Sequence, residues 1–130
     1  MEEKIKKVES MKIIKTELDK IKEYVTKDNS IIKELLHPKI HGEEIKQSLA
    51  LAIVKDKTLL HKHNISEEIY FILEGKGLMT LGDKDFVVKE GNTIYIPPKT
   101  PHKIKNLGEE LKILCCSYPP YSHEDTEILE

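Results

Sequence analysis

From Ser48 onward the chain is written in short apolar segments separated by turn residues, and this punctuation limits the fold more than any other feature. The segments are Leu49 to Val54, Leu59 to His63, Ile69 to Leu73, Leu78 to Leu81, Asp85 to Val88, Thr93 to Ile96, His102 to Asn106 and Leu111 to Ser117. Between them stand Glu74-Gly75-Lys76-Gly77, Gly82-Asp83, Glu90-Gly91-Asn92 and a run of prolines around Lys99. Such segments are too short for helices but suit half-buried strands, and regular spacing with Gly and Pro turns predicts an antiparallel sandwich or barrel.

The first 45 residues read differently. Thr16 followed by Glu17 to Val25 has Leu18, Ile21 and Val25 at helical spacing, which predicts a capped helical turn or two. Asp28-Asn29-Ser30 reads as a turn, and Ile31 to Leu36 as a short strand ended by His37-Pro38. The Ile-Ile and Leu-Leu pairs around Lys33-Glu34 suit a helix equally well. A chain of 130 residues buries one core. The expected organisation is an N-terminal extension over residues 1–44, a barrel over 45–117 and a closing segment over 118–130.

Composition excludes several functions. The formal net charge is −2, and all 21 basic residues are lysines. Without arginine the chain lacks the planar two-point fork that grips phosphates and reads guanine, so no nucleic-acid partner is expected. The first 45 residues are also too short and too balanced in charge for a convincing helix-turn-helix. Met1 to Lys7 is charged and no apolar run of signal-peptide or membrane length follows, so a cytoplasmic protein without membrane contact is expected. Adjacent Cys115 and Cys116 would form a strained disulfide and fit reduced thiols. One of them faces inward on a strand.

His61 and His63 alternate with Lys62 and therefore project from one face of a strand. A carboxylate returned by the next strand would complete that face. Glu67 and Glu68 both have the position, and Glu68 is preferred because it shares its face with Tyr70 and Ile72. His102 follows a proline-stiffened loop, Ile96-Pro97-Pro98-Lys99-Thr100-Pro101, and supplies a third imidazole. Together these residues make one metal site.

These residues resemble the two motifs of the cupin superfamily, specifically its small single-domain members. His61, His63, Glu68 and Gly75 match the latter part of the first motif, and Gly91, Pro97, His102 and Asn106 match the second. Two departures concern turns rather than ligands: Asp56 or Lys57 stands in place of the leading glycine, and Lys89 in place of a proline. The resemblance covers residues 48 to 117. It implies an all-β fold, a double-stranded β-helix or jelly-roll barrel, with a short partly helical N-terminal extension. It also implies metal ligation by His61, His63, Glu68 and His102, and a homodimer that forms by exchanging an N-terminal strand such as Ile31 to Leu36. It does not single out a function, since the superfamily includes dioxygenases, decarboxylases, isomerases such as mannose-6-phosphate isomerase-like proteins, and non-catalytic binders.

Three neutral imidazoles and one carboxylate leave a divalent ion with a net positive charge, which favours an oxygen-rich anionic or sugar-like small molecule. Mixed nitrogen and oxygen ligation suits Fe, Mn, Ni or Zn, and an octahedral ion would keep about two positions open. Tyr70 lies on the ligand face and is the candidate catalytic proton donor. Asn106 is a candidate for a supporting hydrogen bond. In the closing segment Tyr118 to Thr126, Tyr121, His123 and Asp125 would contact substrate if the segment covers the barrel mouth. The expected function is a metalloenzyme of isomerase or dioxygenase type, and the alternative is a binding or sensor module with a metal-anchored pocket.

Overall fold

The computed structural model describes residues 12–130, so the charged start of the chain lies outside the described residues. Two antiparallel sheets face each other. Strands β1 (Tyr24–Val25), β2 (Ile31–Leu36), β3 (Ser48–Val54), β5 (Glu67–Glu74), β8 (Thr93–Ile96) and β10 (Leu111–Tyr118) form a six-stranded sheet in the order β1-β2-β3-β10-β5-β8. Strands β4 (His61–His63), β6 (Lys76–Leu81), β7 (Lys84–Lys89), β9 (His102–Asn106) and β11 (Thr126–Ile128) form the second, in the order β11-β4-β9-β6-β7. The helix α1 (Pro38–His41) is a single turn, opened by Pro38 where a missing backbone donor costs nothing. Among the described residues, no helix is long and apolar enough to cross a membrane.

Side-chain alternation builds the interior. On β5, Glu68, Tyr70 and Ile72 are buried while Ile69, Phe71 and Leu73 face out. Ile72, Met79, Ile96, Ile104, Leu111 and Ile113 are almost fully buried between the sheets. Each such side chain contributes about 1.5–3 kcal/mol relative to exposure. This apolar half of the barrel leaves the other half to the polar residues of β2, β4, β5 and β9. At the apolar end, the β5–β6 turn needs Gly75: its φ is +93°, and a Cβ there would stand 2.5 Å from the Glu110 carbonyl oxygen.

The strands expected from Leu49 onward are present, most of them within a residue or two of their sequence bounds. The helix expected over Glu17 to Val25 is absent apart from a 3-10 turn at Leu18–Lys20. That turn buries no residue, so no tertiary packing offsets the cost of nucleating a helix there. Instead of capping a helix, the Thr16 hydroxyl donates to the Leu35 carbonyl at 2.8 Å, and Tyr24 and Val25 pair with Ile32 and Ile31. The alternative left open for Ile31 to Leu36 resolves as strand, and β2 covers the edge of β3 in its own chain. Leu59 and Leu60 stay outside β4, because their amides donate to the Asp28 carbonyl and to the Glu130 carboxylate. Strand β11 was not foreseen, and its three residues pair with the whole of β4. The two sheets thus take strands from all three segments of the chain.

Candidate metal centre

Strands β4, β5 and β9 bring His61, His63, Glu68 and His102 to one point. One ligand atom from each lies within 4.8 Å of every other, and all four residues are buried. Register explains the meeting. His61 is directly opposite His102 across the β4–β9 pair, and His63 lies two residues along on the same face. Glu68 points inward from the facing sheet, as parity on β5 requires, while Glu67 turns outward and accepts a hydrogen bond from the Tyr95 hydroxyl.

Hydrogen bonds fix which ring nitrogen faces the centre. His61 Nδ1 is 2.7 Å from the Leu59 carbonyl oxygen, and His102 Nδ1 is 2.9 Å from that of Thr100. A carbonyl only accepts, so both Nδ1 atoms carry protons and both Nε2 lone pairs point inward. His63 Nδ1 lies 3.0 Å from the Thr126 hydroxyl oxygen. That hydroxyl gives its own proton to the Ser122 carbonyl at 2.8 Å and is therefore the acceptor for His63. All three imidazoles present Nε2, each held by a partner of the kind that orients metal-bound histidines.

The atoms at the centre are not satisfied by one another. Glu68 Oε1 is 2.7 Å from His63 Nε2 and 3.2 Å from His102 Nε2, yet Glu68 Oε1 and His102 Nε2 have no hydrogen bond of acceptable geometry. Such buried orphans are costly, and they are what a shared ion between the donors would satisfy. The donor set, three imidazoles and a carboxylate without thiolate, fits a divalent transition metal. The four residues could hold one.

Burial and neighbours set the charges. Burial and the His102 ring pull His61 down to about 4. At His63 burial also opposes the charged ring, but contact with the Glu68 carboxylate outweighs it and holds the group above its usual value. Burial alone would raise Glu68; the His102 and His63 rings beside it lower it well below the carboxylate range. Burial, with Glu68 nearby, pushes the Tyr70 phenol well up, so Tyr70 keeps its proton in a cavity that it lines beside the four residues.

Other expected residues fall into supporting places. Asn106 serves a loop, donating to the Lys55 carbonyl and accepting from the Gly108 amide. Cys115 is the cysteine facing the cavity, and burial raises its thiol well above the ordinary value. Cys116 points to Gln47. In the closing segment Tyr121 lines the cavity, its ring 5.9 Å from that of His63. His123 lines an outer recess instead, and Asp125 caps the amides of Ile65 and Ser66, fixing the loop after β4. Lys99 adopts a φ of +64° and its amide donates to the His63 carbonyl at 2.7 Å, so the loop before His102 is tied to β4.

Sequence reasoning missed three residues. Asp28 read as a turn residue, but its Oδ2 stands 3.3 Å from His61 Nε2. Glu34 is buried and lines the cavity, a position that strand parity with Ile32 would have signalled. Thr126 carried no local signal, because its role depends on β11 pairing with β4.

Comparison with known proteins agrees with the geometry. Residues 54–118 match the Cupin domain family, and the chain belongs to it. It is 73% identical over 124 residues to an uncharacterized protein of Methanocaldococcus jannaschii, covering 93% of this chain and 98% of that protein. It is 36% identical over 63 residues to the glucose-6-phosphate isomerase of Pyrococcus furiosus, covering 45% of this chain and 33% of that enzyme. Among solved structures, Streptomyces Pac13 with uridine, a nucleoside dehydratase, superposes with a TM-score of 0.73 at 13% identity, covering 92% of each chain. At that identity the likeness is one of fold.

Two outcomes follow from this geometry. In protein stripped by a chelator, the unfolded chain protonates His61 near its ordinary 6.5 while the folded chain resists to about 4, so stability falls as pH drops through that window. Glu68, with its lowered folded value, adds to the loss at still lower pH. His63 works in the opposite sense, its contribution being complete below its ordinary value and lost as pH rises through its raised folded value. Urea unfolding between pH 4 and 8 should therefore show a maximum near neutrality. Substitution Thr126→Val removes the acceptor for His63 Nδ1 and should weaken metal affinity about 10–100-fold in a competition titration, without unfolding the chain.

Proposed function

We propose that this chain is a metal-dependent enzyme acting on a small sugar-like substrate, with an isomerase-type reaction that moves protons within the substrate. The observation that carries the reading is the convergence of three inward Nε2 atoms and one carboxylate beside a cavity, with Glu68 Oε1 and His102 Nε2 lacking hydrogen bonds. Three imidazoles and a carboxylate would suit a catalytic divalent ion, and the cavity beside them would give a substrate oxygen access to it. The partial similarity to a glucose-6-phosphate isomerase supports the sugar-like class.

His61, His63, Glu68 and His102 would hold the ion, and when bound it would polarise a substrate carbonyl or hydroxyl. The chain's own groups do the rest. Tyr70, protonated because it is buried, donates a hydrogen bond to substrate oxygen from the cavity wall. Tyr121 and the apolar walls of β3 and β10 exclude water from that oxygen. A homodimer is part of the same reading: Ile69, Phe71 and Leu73 on β5, with Tyr95 on β8, leave an exposed apolar face that a second copy would cover.

The experiment is a substrate screen of metal-loaded protein beside Tyr70→Phe. The substitution should leave metal content unchanged and lower kcat about 10²–10⁴-fold on any sugar that turns over. Binding without turnover of every sugar tested would instead favour a non-catalytic binding module.

A further inference from the structure

The cavity next to the four ligands is lined by three carboxylates, Asp28, Glu34 and Glu68, together with hydroxyls and apolar walls. Among the described residues no lysine reaches it. Lys39 stands only in the outer recess between α1 and the closing segment, and Glu34 and Tyr121 line both spaces.

Two of these carboxylates have unused acceptor capacity. Asp28 Oδ1 takes hydrogen bonds from the Thr26 hydroxyl, the Ser30 amide and the Ser30 hydroxyl, whereas Oδ2 is left facing His61 Nε2 at 3.3 Å. Glu34 is 5% exposed and accepts no hydrogen bond among the described residues. His37 Nε2 lies 3.8 Å away, but it donates to the Tyr121 carbonyl at 2.8 Å while His37 Nδ1 accepts from the Lys39 amide. Both ring nitrogens of His37 are thus engaged with backbone groups, and neither donates to Glu34. Burial pushes the Glu34 carboxyl up, the direction expected of a carboxylate enclosed without donors.

The Glu34 carboxyl and Asp28 Oδ2 therefore offer acceptor positions in the cavity wall that a ligand's donors can fill. Hydroxyl groups are donors. A phosphate dianion is not, and it would sit beside like charges with no lysine among the lining residues to hold it. A divalent ion held by Glu68 and facing the Asp28 carboxylate also has less positive charge left to attract an anion.

Resting on the sugar-enzyme reading above, we propose that the cavity takes an unphosphorylated, uncharged polyhydroxy compound, a free sugar or sugar alcohol, whose hydroxyl groups are bound by Asp28 Oδ2 and the Glu34 carboxylate. Selection is by donor count and charge. It sets this site apart from one built for a sugar phosphate.

The test is calorimetric titration of the full chain, its metal content measured on the same sample, with glucose, ribose, glucose 6-phosphate and ribose 5-phosphate. Wild type should bind a neutral sugar about tenfold or more tightly than its phosphate. Glu34→Gln, and separately Asp28→Asn, should weaken the neutral sugar by about tenfold and narrow its advantage over the phosphate, with folding checked by circular dichroism. A phosphate that binds as well as its parent sugar, binding of none of the four, or an unchanged preference in both variants would overturn the inference. The metal reading is judged separately. Protein that holds its ion but prefers the phosphate contradicts only this inference. Protein without an ion that still selects the neutral sugar through Glu34 supports it and contradicts the metalloenzyme.

Discussion

Each imidazole at the centre donates its Nδ1 hydrogen bond to a fixed acceptor, and the rest of the site depends on those three bonds. The acceptors are the carbonyls of Leu59 and Thr100 and the hydroxyl of Thr126. Because they are fixed, three Nε2 atoms face Glu68, and four buried polar groups occupy a place in the barrel where apolar packing would otherwise stand. The barrel bears this because its other end is well packed around Ile72, Met79, Ile104 and Leu111. The sheets supply the separation between a dry end and a polar one.

The closing segment shows how far the site extends beyond its ligands. Strand β11 pairs with β4, Thr126 accepts from His63, Asp125 holds the loop that follows His63, and Tyr121 forms part of the cavity wall. The N-terminal strands do the same from the other side, since Asp28 and Glu34 reach the cavity from the β1–β2 turn and from β2. Residues beyond the matched span of 54–118 therefore line and support the cavity beside the four residues. The residues that differ most from a bare four-ligand site are on these flanking strands.

Much of this was legible in the sequence. Alternation along Ile69 to Leu73 and the turns at Gly75, Gly82 and Gly91 gave the strands, because strand parity and turn chemistry are local properties. The same parity placed Glu68 rather than Glu67 inward. What was not legible depends on contacts distant in the chain. Glu17 to Val25 has helical spacing, but pairing with β2 and the lack of a buried face there decide against a helix. Thr126 has no signal until β11 lies beside β4. The charge of the cavity also escaped, since the four candidate ligands gave no sign that Asp28 and Glu34 line the same space.

On the reading proposed above, His61, His63, Glu68 and His102 bind one ion through three Nε2 atoms and a carboxylate oxygen. X-ray absorption spectroscopy of protein purified without an affinity tag or chelator tests it most directly. The expected result is one transition ion per chain, surrounded by about three imidazole nitrogens and further oxygens at roughly 2.0–2.2 Å, with no sulfur neighbour. A thiolate in the ion's surroundings, fewer than three imidazoles, or no bound ion even after reconstitution with Fe, Mn, Ni and Zn would contradict it.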